Sequence, residues 1–176
     1  MLWLGLLRVT NLGRAADRQD GASLRATAAA TLRAAVPDDL TAIEDLLRAS
    51  QLPVSGVESA IGHFIVAESH GRVVGAIGVE LYEAAALLRS AVVEPSMRGT
   101  GLGAALVSAI VQEAERQGVE QIFLLTTTAE NYFPRFGFGP VTRAAVPERV
   151  KTSVEFRGAC PSSAIVMMRN ASHLDE

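Results

Sequence analysis

The chain has 176 residues, 49% hydrophobic and 20% charged, a balance that favours a globular fold over disorder and fits one domain with a sizeable core. Its formal net charge of -3 gives no electrostatic case for nucleic acid or an anionic membrane as the main partner. The single cysteine, Cys160, excludes an internal disulfide framework and a cysteine-rich metal site, so no metal is expected and a reducing, cytoplasmic setting is the simplest reading.

At the N-terminus "MLWLGLL" is apolar, but it lacks a basic flank and falls far short of the roughly 20 residues of a membrane span. Residues 8–30 scatter Arg8, Arg14, Arg18 and Arg25 among Ala, Asp and Gly with no sustained period. Residues 1–30 are therefore expected to be an accessory extension, 31–171 the folded domain and 172–176 a tail.

"TLRAA" (31–35) reads as a short strand. Pro37 and the acids that follow open a helix over about 38–50, whose buried stripe is Leu40, Ile43, Leu46 and Leu47. "QLPVSGVES" breaks the pattern as a loop with room for one helical turn. "HFIVAES", a His-Gly turn and "RVVGAIGVEL" form a predicted hairpin, and "ALLRSAVV" a third strand closed by "EPS". A helix then runs to about Gln117, with Gly118 as its C-terminal cap. "EQIFLLTTT" reads as a strand, "AENYFPRFG" as a short helix ended by Gly137, and "FGPVTRAA" as a strand. "VPERVKTSVEF" has a helical reading, and "SAIVMMR" is the last strand. Strands precede and follow helices in one sheet, so the class is α/β with mixed pairing.

Between the third strand and the long helix lies "RGTGLG", residues 98–103. The first N–H groups of a helix lack partners and lie at the positive end of its dipole. Alternate glycines let them converge on a phosphate and remove the side chains that would block it, while Arg98 adds a cation. A plain strand-to-helix turn is the bland alternative. No Gly-Lys-Ser/Thr follows, so this is not a P-loop. Gly99, Gly101 and Ala104 fit a loose dinucleotide fingerprint, but three strands, two of them in a hairpin, already precede it, which makes that the weaker reading.

The motif "RGTGLG", its flanking strand and helix, and the segment "AENYFPRFGF" resemble the Gcn5-related N-acetyltransferases (GNAT), over roughly residues 31–169. The resemblance implies a mixed, mostly antiparallel sheet flanked by helices, with splayed central strands forming an acyl-CoA cleft. It implies acetyl-CoA as cosubstrate, its pyrophosphate at Arg98, Gly99, Thr100, Gly101, Leu102 and Gly103, and its pantetheine arm against the main chain of Val92 and Val93.

In this family a neutral amine attacks the thioester directly, so a base or water relay must take a proton from an ammonium with pKa roughly 10. Glu80 is the candidate base, with a solvent-facing strand residue as the alternative; Glu83 is a weaker contender and Glu94 lies too close to the turn. Many relatives carry a tyrosine four residues before the glycine of Gly-Phe. Here that place holds Phe133, with Tyr132 one residue earlier and about 100° around a helix. Tyr132 is the candidate acid if that helix is shifted towards the sulfur or, alternatively, packing in the core or the substrate wall.

Longer strings, among them "LLTTTAENYFPRFGF" and "RAAVPERVKTSVEFRGACPSSAIVM", resemble the acetyltransferase branch of arsenic-resistance operons. That implies a small-molecule amine acceptor, an amino acid or an organoarsenical or phosphinic analogue. Arg89 is the candidate to bind its carboxylate or oxyanion, with a surface arginine as the alternative. Ser162 and Ser163 are either substrate contacts or a turn. A non-catalytic acyl-CoA sensor is the competing function, and the oligomeric state, a homodimer included, stays open.

Overall fold

The computed structural model describes residues 30–171. The expected extension (apart from Ala30) and the tail at 172–176 lie outside the described residues. Seven strands form one sheet: β1 (Thr31–Ala34), β2 (Phe64–Ser69), β3 (Arg72–Tyr82), β4 (Ala85–Val93), β5 (Gln121–Thr126), β6 (Gly139–Val141) and β7 (Ile165–Asn170). Their spatial order is β1-β2-β3-β4-β5-β7-β6, and every pairing is antiparallel except β4 with β5. The mixed, mostly antiparallel sheet expected from the sequence is therefore the fold.

Three helices complete it: α1 (Leu40–Ala49), α2 (Val57–Ala60) and α3 (Leu102–Arg116). Strand alternation sends neighbouring residues to opposite faces. Thus Ile77 and Val79 of β3 join Leu106 and Ile110 of α3 in one buried cluster, while Ala76 joins Ile43, Leu47, Phe64 and Val92 in another, beneath α1 and α2. The predicted stripe of α1 holds: Ile43 and Leu47 are fully buried and Leu40 and Leu46 pack at the margin.

Several expected elements are shorter. Pro134 has no N–H to donate to an α-helical ladder, and "AENYFPRFG" yields a single 3-10 turn, Phe133–Phe136, with the proline in its first positions. β5 stops at Thr126 because its Oγ1 accepts the N–H groups of Thr128 and Ala129 (3.4 and 2.9 Å), turning the chain away. The strand at 138–145 shrinks to β6, an edge position that tolerates Pro140, and Arg143–Ala145 forms a 3-10 turn. The helix at 146–156 is broken by the extended backbone of Ser153 into a 3-10 turn, Val150–Thr152, and a π-turn, Glu155–Ala159.

Candidate active site

β4 and β5 pair only from Ala85↔Gln121 to Leu88↔Leu124. Beyond that point β5 stays with β7, while β4 runs on to Val93 with its β5-facing side open. One cause is a bulge: between Gly78↔Arg89 and Ala76↔Val92, β4 takes three steps against two on β3, with Ser90 at φ +57°. A cleft of about 1230 Å³ opens in the gap. The N–H of Glu94 donates to Val74 O (2.8 Å), which turns Glu94 and, by alternation, Val92 towards β3. Ala91 and Val93 therefore present their main chain to the gap, while the Val92 side chain belongs to the core.

At one end of the cleft lies the glycine turn. Gly99 (φ +77°) and Gly101 (φ +87°) hold left-handed backbone, and a Cβ on either would meet nothing within 4 Å. Backbone conformation, not crowding, requires glycine there, and the space before the turn is open to a ligand. Gly101 is the N-cap of α3, so the N–H groups of Leu102, Gly103 and Ala104 lack intrahelical partners and form a cradle that fits a phosphate. Thr100 Oγ1 donates to Met97 O (2.7 Å) and Arg98 Nε to Val93 O (3.2 Å), bracing the turn; Leu102 is buried.

Tyr132 lines the same cleft. Its hydroxyl lies 2.9 Å from where a Gly103 Cβ would stand, so the third glycine of the motif makes room for it. The ring packs edge-on to Phe133 (centroids 5.5 Å apart) and beneath the Arg135 guanidinium (4.6 Å). Phe133, at the position where many relatives carry tyrosine, is core.

The other end is bounded by the loop after α1, by Arg89 and by residues 155 and 159–161. Leu88 points at α3, so Arg89 points to the opposite face, where its side chain is fully buried. Its Nη1 donates to Glu80 Oε1, its Nη2 donates to Ser55 O (2.5 Å) and pairs with Glu155 Oε1 (3.1 Å), and its Nε donates to Ser90 Oγ (3.2 Å). Glu80 also accepts from the Tyr82 hydroxyl (2.6 Å), and Glu155 Oε2 from the Cys160 thiol (2.6 Å). Burial, then the Glu80 carboxylate, pushes the Tyr82 hydroxyl up to about 12; burial, then Glu155, does the same to Cys160, so both remain protonated donors.

The structure thus gathers Arg89, Val92, Val93, Arg98, Gly99, Gly101, Gly103 and Tyr132 around one cleft, with Glu80 behind Arg89 rather than in the lining. Thr100 and Leu102 lie in the turn but outside the lining. Glu83 ion-pairs with exposed Arg149 and Glu94 with Arg72, both on the surface. Glu155 was not foreseen: no local pattern in "KTSVEFRG" marks it, and only long-range packing brings it to Arg89.

A gap beside a strand with an open main-chain edge, leading to a helix start with unpartnered N–H groups, has room for a long, extended ligand with an anionic end. The acetyltransferase (GNAT) domain model matches residues 60–140. An uncharacterized N-acetyltransferase of Chlorobaculum tepidum is 30% identical over 117 residues, 62% of this chain and 75% of that protein. The amino-acid acetyltransferase of Aeromonas salmonicida is 29% identical over 126 residues, 65% of this chain but 28% of that protein. Among solved structures, a Mycobacterium tuberculosis protein in complex with CoA and NLQ superposes with TM-score 0.68 at 23% identity, covering 79% of this chain and 98% of that one. N-acetylglutamate synthase from Neisseria gonorrhoeae, complexed with coenzyme A and L-arginine, gives TM-score 0.69 at 22% identity, covering 81% and 33%. The chain belongs to the GNAT acetyltransferase family. It spans less than a third of the length of the Aeromonas relative, and the doubly wound parallel sheet of a dinucleotide-binding fold is absent among the described residues.

Proposed function

We propose that the protein transfers an acetyl group from acetyl-CoA to the primary amine of a small molecule that also carries acidic oxygens, by direct attack in a ternary complex. The observation that carries this is the gap between β4 and β5 opening towards the 99–103 turn. Backbone N–H groups of that turn, Thr100 and Leu102 included, and the Arg98 guanidinium are assigned to the pyrophosphate. The open edge of β4 at Val93, beside Val92, is assigned to the pantetheine arm, which binds as an added strand.

At the acceptor end, Arg89 is assigned to an acidic oxygen of the acceptor; its side chain is fully buried, donating to Glu80, Ser55 and Ser90 and ion-pairing with Glu155, so the acceptor oxygen reaches it by displacing Ser55 O or Ser90 Oγ. Glu80 is the assigned base, acting through a water relay because Arg89 stands between it and the cleft. The amine nitrogen forms a bond to the thioester carbon, the C–S bond breaks, the amine proton passes to Glu80, and Tyr132 protonates the departing thiolate. An organoarsenical or phosphinic amino acid is the finer acceptor assignment, in a cytoplasmic setting.

One observation favours a second reading, a non-catalytic acyl-CoA sensor: both oxygens of Glu80 are already engaged. Release of free CoA across amino acids, phosphinic and arsonic analogues, polyamines and peptides separates the two. Amine-dependent release that falls at least 10²-fold in Glu80→Gln, with acetyl-CoA binding kept, supports the enzyme; binding without amine-dependent release supports the sensor.

A further inference from the structure

Resting on the acetyltransferase assignment above, we propose that Glu155 receives the acceptor's ammonium group, so that the cleft recognises a zwitterion by its amine as well as by its acid. Glu155 is only 7% exposed, yet it lines the cleft, whereas Glu80 does not. A carboxylate offers about four acceptor positions. Glu155 uses one on each oxygen, for Arg89 and Cys160, and keeps the others for a ligand. Arg89 donates a hydrogen bond to Glu80 but meets Glu155 only as an ion pair at 3.1 Å, so Glu155 is the less committed of the two.

Charge points the same way. One guanidinium faces two carboxylates, a formal excess of one negative charge where water has little access. Arg143, outside the cleft lining, donates to the carbonyls of Pro161 and Ser162 and lies over the Phe156 ring, so the excess holds for the groups in direct contact with Arg89 and not for the wider neighbourhood of Cys160. Cys160 is a neutral thiol and a weak donor that an ammonium group displaces from Oε2. The backbone sets the placement: Glu155 opens a π-turn, Glu155–Ala159, kinked at Gly158 with φ +134°, a conformation glycine favours.

The test titrates matched probes, L-glutamate against glutarate and L-alanine against propionate, into the full-length protein saturated with CoA. Within each pair only the ammonium group differs. Wild type should bind the amino acid of at least one pair tenfold or more tighter than its deaminated partner. Glu155→Gln keeps the shape and the Arg89 contact and should abolish that preference, with CoA affinity unchanged. Equal binding within both pairs by wild type, no binding of any probe, or a preference kept in Glu155→Gln would each overturn the proposal. A second arm needs neither the variant nor CoA: the favoured amino acid, but not its deaminated partner, should change the rate of Cys160 alkylation in wild type several-fold. Equal rates with both would overturn it too, and failure of wild type to bind CoA would instead sink the acetyltransferase assignment.

Discussion

Arg89 of β4 and Glu80 of β3 are joined side by side across neighbouring strands, the guanidinium fully buried and the carboxylate 16% exposed. Through them runs one chain of contacts: the Tyr82 hydroxyl to Glu80, Glu80 to Arg89, Arg89 to Glu155, and Glu155 to the Cys160 thiol. Arg89 also holds Ser55 O, so it ties the loop between α1 and α2 and the 155–160 segment to the sheet. The residue assigned to the acceptor therefore also builds the compartment that receives it.

Arg89→Ala should accordingly lose more than acceptor binding. It leaves Glu80 and Glu155 facing one another without a cation, and breaking such a buried pair costs about 3–5 kcal/mol. Arg89→Lys keeps the charge but not the fork that serves Glu80, Ser55 and Glu155 together, so it should restore part of the stability and little of the acceptor KM. Urea denaturation with acceptor kinetics checks this; an Arg89→Ala protein of wild-type stability and acceptor KM would refute both roles.

The turn and the sheet were legible because both are local. Alternating glycines after Arg98, the period of α1 and the hairpin strands are written in consecutive residues. The Glu80–Arg89 neighbourhood was in principle legible too: the Tyr82↔Ala85 turn sets Glu80 opposite Leu87, one diagonal step from Arg89. Glu155 was not legible, since it reaches the cleft through a π-turn and contacts far away in sequence. For Tyr132 only the segment is legible in the sequence: a tight turn at Pro134 stands where a helix is expected, and that turn sends Phe133 into the core and Tyr132 to the cleft.

Gly101→Val puts a β-branched residue at φ +87°, a strained backbone for any L side chain, with its methyls over the open cradle. Acetyl-CoA affinity should fall tenfold or more, on the order of 1.4 kcal/mol. Calorimetry on the folded variant checks it, and unchanged affinity would remove the turn from the site.

Cys160 lines the cleft but should react slowly. Burial first, then its hydrogen bond to Glu155, pushes the thiol up to about 12, so little thiolate exists at pH 8. Iodoacetamide should alkylate the native protein at least tenfold more slowly than the unfolded chain. Glu155→Gln removes the carboxylate that disfavours the thiolate, and should speed the native reaction. Equal rates in native and unfolded protein would contradict the Glu155–Cys160 contact.

Asp39 predicts acid sensitivity. Its carboxylate accepts from Arg33 (2.7 and 2.9 Å) and from the Val36 N–H (2.8 Å); the Arg33 bond lowers its pKa despite the opposing effect of burial. A carboxyl lowered in the folded state contributes stability above its unfolded pKa, near 4, and loses it as pH falls through the lower folded value. Asp39→Asn should therefore destabilise at pH 7, by about 1–3 kcal/mol, and the difference from wild type should narrow below pH 4. Urea midpoints across pH test this; a constant gap would show that charge is not its source.

Tyr132 offers the sharpest division between binding and chemistry. Its hydroxyl stands over Gly103 at the start of α3, while its ring is held by Phe133, Phe136 and Arg135. Tyr132→Phe deletes only the hydroxyl, so the packing persists and the melting temperature should move by no more than about 2 °C, since surface and cleft changes without a cavity cost little. If the hydroxyl protonates the leaving thiolate, kcat should fall tenfold or more with acetyl-CoA affinity within twofold, and the alkaline limb of the pH–rate profile should change shape. If it instead donates to the pyrophosphate at the helix start, acetyl-CoA affinity should fall and kcat at saturation should hold. The first pattern assigns Tyr132 as the acid; the second makes it part of the cradle and leaves the thiolate to depart unassisted.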